Sequence, residues 1–478
     1  MNAIAQDEAA VVIVGSGAGG GTMAYELTKA GIPCVLLEAG KYFKIDDWTN
    51  DEWEAFGQMA WLDNRTTSGS WRVAKDFSGL PAWLVKAVGG TTTHWAGATP
   101  RFLDYEFKAR STYGEIEGAT LLDWPIGLED MAPYYDAAEK AIGSSHLHGR
   151  PPMPANNNYK VFANGAERVG YTKYATGPYG TNAEPYDGRP GSIQDGFNFQ
   201  GDAVIYIDKD GNLQRQAAKA VCVAGNSIET ARLLLLSDSS MFPNGLANSS
   251  DQVGRNYMRH LTGSVYAWFD KPVNMYRGET MAGIIKDEVR HNPDRGFVGG
   301  YYMQTLSLGP AFLAAFIEPG AWGPEFANWM DNYQNMAGMW IVGEDMPQST
   351  NRITLSDSVD QWGIPAANVH FDDHPNDIAM REYAYEKAEA LYNAVGAVGT
   401  HRTPPYPSTH NLGTCRMSAN PEDGVVDKWG RAHDVPNLFV SDGAVMTTGA
   451  AANPTLTIVA HAIRQAEYLA GELKAGNL

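Results

Sequence analysis

The first forty residues constrain this chain more than any other stretch. Ala10-Val11-Val12-Ile13-Val14 is a short apolar run of the kind buried in a parallel sheet. It leads directly into Gly15-Ser16-Gly17-Ala18-Gly19-Gly20, which sets a G-x-G-x-x-G spacing at Gly15, Gly17 and Gly20. The pattern predicts a helix from Gly21 to Ala30, stopped by Gly31, then a second apolar strand, Cys34-Val35-Leu36-Leu37, that delivers Glu38. The glycines permit a tight turn, close approach of backbone to a pyrophosphate, and close packing of helix on strand. The unpaired N–H groups of a helix N-terminus favour phosphate. Glu38 can accept hydrogen bonds from ribose hydroxyls and repels a 2′-phosphate. A lone glycine motif is weak evidence, but here strand, turn, helix, strand and acid stand in register, so the segment reads as a dinucleotide-binding unit.

The rest of the chain is consistent with a large enzyme. Its 478 residues predict two or three domains, and a hydrophobic content of 44% supplies a core. Lys+Arg 36 against Asp+Glu 55 gives a net charge of −19, which argues against a nucleic-acid partner. No basic and apolar leader opens the sequence, and no apolar run reaches membrane-spanning length, so direct membrane insertion is not expected. The three cysteines, Cys34, Cys222 and Cys415, have no spacing typical of disulfides or metal ligation, and no metal site is expected.

The middle of the chain predicts a second domain. A helix is expected over Asp130–Ile142, a strand over Ala203–Asp208, a turn at Lys209-Asp210-Gly211-Asn212 and a strand over Leu213–Val223. Asn226 opens a helix through Leu236. Residues 260–400 carry strand-like runs such as Arg352–Leu355 and Asn368–Phe371, then a helix from Asp377 to Val395. This block reads as a domain with an antiparallel sheet. Leu438-Phe439-Val440-Ser441-Asp442-Gly443 looks like a last strand returning to the nucleotide domain, which is therefore discontinuous.

Further motifs narrow the class. Val88-Gly89-Gly90-Thr91-Thr92-Thr93-His94-Trp95 is rich in small residues that let backbone approach a flat ligand. Ala224-Gly225-Asn226-Ser227-Ile228-Glu229-Thr230-Ala231-Arg232 precedes a Leu-rich helix, and the C-terminal region carries Thr409-His410-Asn411-Leu412-Gly413-Thr414 and Ala452-Asn453-Pro454-Thr455-Leu456-Thr457. Together with the glycine opening, these segments resemble the glucose–methanol–choline (GMC) oxidoreductases over nearly the whole chain. Thr93-His94-Trp95, Pro185-Tyr186-Asp187-Gly188-Arg189-Pro190 and the Asn453 segment are most similar to the pyranose oxidase and bacterial sugar dehydrogenase branch, including glucoside 3-dehydrogenase large subunits.

The resemblance implies an α/β Rossmann-like FAD-binding domain with an α+β substrate-binding domain built on an antiparallel sheet. Residues 8–45, 84–102, 196–262 and 403–478 are assigned to the first, 103–195 and 263–402 to the second, and 46–83 to a lid or arm. It implies FAD held by Gly15, Gly17, Gly19, Gly20, Glu38, Gly89, Gly90, Thr91, His94, Trp95, Ala96, Asp442, Gly443, Asn453, Pro454 and Thr455. Oxidising an alcohol by hydride transfer to flavin N5 needs a group to take the hydroxyl proton, and neutral histidine suits it. His410 matches the family's base. Asn453 matches its partner position and, unable to act as a base, is expected to orient the substrate oxygen. Pro454 suits the start of a helix that buries Leu456, Val459, Ile463 and Ala466. Without the family motifs, His410 would read as a loop histidine and Asn453 as a helix cap.

His94 matches a histidine that carries covalent flavin in pyranose oxidases, while relatives with a similar phrase hold the flavin without a bond; both remain open here. Ala96 replaces a threonine that hydrogen-bonds flavin N5 in pyranose oxidases, which mildly favours a dehydrogenase over an oxidase. After Asn198-Phe199-Gln200-Gly201-Asp202 relatives carry several tens of additional residues near the adenine. Either the protein lacks that part of the cofactor site or the segment is missing from the sequence, and the second is favoured because loss would leave strands of a parallel sheet unpartnered. His260, His374 and His461 are expected to be structural.

The expected substrate is a sugar or glycoside oxidised at a secondary hydroxyl, with C3 of a pyranoside as one candidate. The alternatives are a non-sugar alcohol, aromatic or aliphatic, or a flavin-free scaffold subunit. Relatives act with a small exported subunit and a cytochrome acceptor, or stay in the cytoplasm, and the sequence does not choose.

Overall fold

The computed structural model describes residues 4–44, 47, 60–61, 67–69, 83–189, 214–310, 313–314, 321–406 and 408–478. Most of the lid or arm at 46–83, the strand and turn expected at 203–212, and the junction after Gly201 lie outside the described residues.

Two sheets organise the protein. The first is parallel, in the order Leu438–Val440, Gln214–Val223, Ile4–Val14, Cys34–Leu37. Its strands come from distant parts of the sequence, because parallel neighbours cannot be joined by a tight turn. The helices Ala18–Lys29 and Thr455–Ala475 cover one side, enclosing Val11, Ile13, Met23, Leu27, Cys222 and Phe439. Each fully buried aliphatic side chain there contributes about 1.5–3 kcal/mol. The first helix begins at Ala18, earlier than the sequence pattern predicts, because Gly19 and Gly20 serve as packing surfaces within the helix. A Cβ at Gly19 would lie 1.5 Å from the Ser441 carbonyl oxygen, and one at Gly20 would lie 1.9 Å from that of Gly15. Gly19→Ala is therefore expected to destabilise the fold by about 2 kcal/mol or more, read as a thermal midpoint several degrees lower. An unchanged midpoint would contradict this packing.

The second sheet has six strands, all antiparallel: Gly399–Arg402, Leu261–Trp268, Met336–Gly343, Tyr301–Thr305, Ile284–Ile285 and Tyr174–Ala175. Alternation along the strands gives it two different faces. Val265, Met303, Met339 and Ile341 pack with the helices Asn157–Arg168 and Pro375–Ala394. Tyr302, Trp340 and Val342 point the other way, into a core shared with Tyr257, Leu412, Ala451 and Leu456 from the segments around the C-terminal motifs. The smaller pair Arg352–Val359 and Pro365–Phe371, joined in parallel by Thr67–Gly69, lies alongside. The expected helices appear at Leu128–Ile142, ended by Gly143 at φ 82, and at Ser227–Leu236 behind Asn226. In the last helix, Leu456 and Ala466 are buried as expected, while Val459 and Ile463 are only partly covered.

Candidate active site

The site lies where the polar face of the antiparallel sheet meets the glycine-rich end of the parallel one. Gly15, at φ 96, turns the chain out of the first strand. Glu38 ends the second strand beside it and fastens the turn: one carboxylate oxygen accepts from Ser16 N at 3.0 Å and Ser16 Oγ at 2.7 Å, the other from Gly40 N at 2.8 Å. The second glycine-rich loop closes over the first. Gly89 N donates to Ser16 Oγ at 2.9 Å, and a Cβ at Gly90 would lie 3.2 Å from Gly17 Cα. Gly89 and Gly90 are both left-handed, and the turn Gly90–His94, which includes Thr91, continues from them. The His94 side chain lies outside the described residues. Trp95 packs its indole where a Cβ on Gly180 would lie 2.9 Å away, and Ala96 is partly buried against the core.

A chain of close contacts connects this cradle to the C-terminal motifs. Gly19 meets Ser441, and Gly443 lies where a Cβ would be 2.6 Å from the Asn411 carbonyl oxygen. Asp442 accepts from Thr230 Oγ1 at 2.6 Å and Ala444 N at 2.8 Å, while burial pushes its carboxyl up to about 6. Pro454 precedes the first residue of the last helix, Thr455, and the first turn of that helix carries no acid, so its positive end is uncompensated.

His410 is partly buried on a loop fixed by its own backbone N–H, which donates to Ser408 Oγ at 2.9 Å. His260, expected to be structural, lies directly against His410. Its Nδ1 lies 2.9 Å from His410 Nδ1, with the rings near perpendicular at 4.9 Å between centroids. His260 is buried, and its Nε2 lies 2.8 Å from the Gly449 carbonyl oxygen. That oxygen can only accept, so His260 Nε2 carries a proton. Burial pushes this imidazole down to about 4, so it is neutral near pH 7 and its Nδ1 is bare. His410 Nδ1 must then be the donor of the shared hydrogen bond. Burial and the neighbouring His260 hold His410 well below the usual histidine range, so its ring is also neutral. Its Nε2 is left as an unprotonated acceptor. His374, by contrast, is structural as expected: it accepts from Asn376 N and bonds Glu117 O.

Asn453 is buried, and Gln304 Nε2 donates to its Oδ1 at 2.6 Å. The acceptor end of Asn453 is thereby occupied and its NH₂ remains available as a donor. Gln304 stands directly opposite Trp340 on the neighbouring strand, and the Trp340 ring lies 5.5 Å from that of His410. The sheet therefore ties His410 and Asn453 to adjacent side chains on one face. The loop before Asn453 is held from behind: Trp124 Nε1 donates to Thr448 Oγ1 at 2.7 Å and Ala451 N to the buried Glu106 at 2.8 Å. The sequence motifs do not single out Gln304 or Glu106, nor the pairing of His260 with His410, whereas Trp340 ends an aromatic run, Phe312 to Trp340, that could line a substrate entrance or bind a partner subunit. A lone polar residue inside an apolar strand, as in Tyr301-Tyr302-Met303-Gln304, was the available signal.

A glycine-rich strand–turn–helix joined to an antiparallel face that carries a neutral histidine is suited to taking a proton from a hydroxyl group. Residues 347–462 match the family model described as GMC oxidoreductase. The chain is 33% identical to 2-methyl-1,2-propanediol dehydrogenase of Mycolicibacterium austroafricanum, covering 97% of this chain and 95% of the relative. It is 27% identical to the fructose dehydrogenase large subunit of Gluconobacter japonicus, covering 98% of each. The first alignment runs over 533 positions against 478 residues here, so that relative carries segments without counterpart in this chain. Its fold is similar to that of pyridoxine 4-oxidase from Mesorbium loti, with a TM-score of 0.64 at 18% identity, covering 96% of this chain and 99% of that one. The chain belongs to the GMC oxidoreductase family, whose members oxidise alcohols and sugars and typically carry FAD.

Proposed function

We propose that the protein is an FAD-dependent dehydrogenase that oxidises a secondary hydroxyl of a sugar or glycoside to the ketone. The observation that carries this reading is the His260–His410 hydrogen bond, which leaves the His410 Nε2 lone pair free. The glycine-rich loops would supply the cofactor's cradle: Gly15 and Gly90 pack backbone against backbone with no room for a Cβ, and Glu38 follows the second strand beside the glycine turn. Bound FAD supplies the hydride acceptor. His410 takes the hydroxyl proton at Nε2, and Asn453 holds the same oxygen through its free amide N–H. The uncompensated N-terminus of the last helix favours negative charge in front of it. The relatives named for a diol and for fructose support an oxygen-rich substrate, with C3 of a pyranoside as the position to test first. The absence of a hydroxyl at Ala96 favours a dehydrogenase, and the relative named as a large subunit favours a partner subunit.

The test is the visible spectrum of the FAD-supplemented protein under anaerobic conditions, before and after addition of a methyl glucoside. Bleaching of the flavin band is the expected result. A yellow protein whose spectrum does not change excludes this substrate, and a colourless one excludes a flavoenzyme. The reaction's pH dependence has a fixed sign. The base must be unprotonated, and its pKa is held below 6.5, so activity extends to lower pH than with an ordinary histidine. The acid limb of the bleaching rate is expected below pH 6.5, and a limb above it would contradict the assignment.

A further inference from the structure

The sheet face beside His410 carries two polar atoms that no described residue satisfies. Gln304 is fully buried, and while its Nε2 serves Asn453, its Oε1 has no hydrogen-bond partner. Trp340 is 7% exposed, and its Nε1–H is likewise unpartnered although its ring lies against His410. The two side chains stand side by side, because Gln304 and Trp340 face each other directly across neighbouring antiparallel strands. The next polar group along that face is already paired, Ser264 Oγ with Tyr406 OH at 2.6 Å. An unmade hydrogen bond at a buried group is costly, so an acceptor and a donor left open together beside the reacting groups mark a place for a ligand.

We propose that Gln304 Oε1 and Trp340 Nε1 form a subsite for a second hydroxyl of the substrate, adjacent to the one that is oxidised. A hydroxyl is at once donor and acceptor. A single one can give its hydrogen to Gln304 Oε1 and accept that of Trp340 Nε1. Gln304 bonds Asn453 and Trp340 lies against His410, so the second oxygen is assigned to the carbon next to the reacting one. The substrate class is vicinal diols, ring diols of pyranosides included. An alcohol without the second hydroxyl leaves both protein groups unpaired, and such a site rejects it more strongly than an apolar pocket rejects a missing methylene. The inference rests on the reading that His410 and Asn453 receive the reacting hydroxyl.

The test uses FAD-loaded His410→Ala protein under anaerobic conditions, titrated in a calorimeter with cis-1,2-cyclohexanediol and with cyclohexanol. The diol is expected to bind about tenfold more tightly or better, the equivalent of one or two hydrogen bonds. In the same background Trp340→Phe keeps the ring and removes only the N–H. It is expected to weaken the diol about fivefold more than cyclohexanol, the scale of one neutral hydrogen bond. Gln304→Met, checked for flavin content and thermal midpoint, is expected to narrow the diol preference in the same way. Equal affinity for the two probes, equal loss for both in Trp340→Phe, or binding of neither overturns the subsite. Bleaching of the flavin by the diol at the wild-type rate in His410→Ala counts instead against His410 as base. The affinity ratio is then read on protein whose flavin has been reduced beforehand, where no turnover can occur.

Discussion

His410→Ala is expected to slow anaerobic reduction of the flavin by about 10²–10⁴-fold, the usual contribution of a positioned base. Flavin content should hold, because the glycine cradle is formed by other residues. His260 cannot take over the role. It is buried behind His410, and its Nε2 proton is committed to the Gly449 carbonyl oxygen. Retention of the wild-type rate in His410→Ala with full flavin content would move proton transfer to another group.

The second large effect is expected at His260. In His260→Leu nothing accepts from His410 Nδ1, so the ring proton is free to sit on Nε2, the tautomer that cannot take a proton from substrate. Bleaching should slow by about 10–100-fold, as is common for a lost partner behind a reacting histidine. Gln at position 260 can both accept and donate, so His260→Gln should recover much of the rate. The pH profile separates this from packing. The Leu variant removes the neighbouring imidazole that helps hold His410 low, and its acid limb should shift upward. If the Leu and Gln variants fold equally well and react equally slowly, His260 is a packing residue only.

The nucleotide half is legible in the sequence because its signals are local. Strand, glycine turn, helix and acid follow one another within about thirty residues, and each announces its geometry through its own side chains. The start of the first helix is the exception. Gly19 and Gly20 look like loop residues in sequence, whereas close packing on Ser441 and Gly15 keeps them helical. His410 and Asn453 are recognisable through motifs contiguous in sequence. Their supports are not. His260 reaches His410 across 150 residues, and Gln304 reaches Asn453 across 149, through the register of an antiparallel sheet. A one-residue slip in that register would turn Gln304 and Trp340 to the opposite face, and nothing local in the sequence specifies the alignment. Glu106 is hidden for a similar reason: it is a carboxylate in a polar stretch until the loop at Ala451 closes on it.

The order of the parallel sheet also bears on how the protein is made. The glycine turn emerges from the ribosome first, yet its wall is completed by Ser441 and by Ile458 of the last helix, more than four hundred residues later. Translation takes many seconds over that distance, and throughout it the nascent N-terminal unit has no closed pocket to offer a cofactor. Capture of the proposed flavin therefore waits for the last strand and the last helix, and a chain cut before Leu438 is expected to bind none.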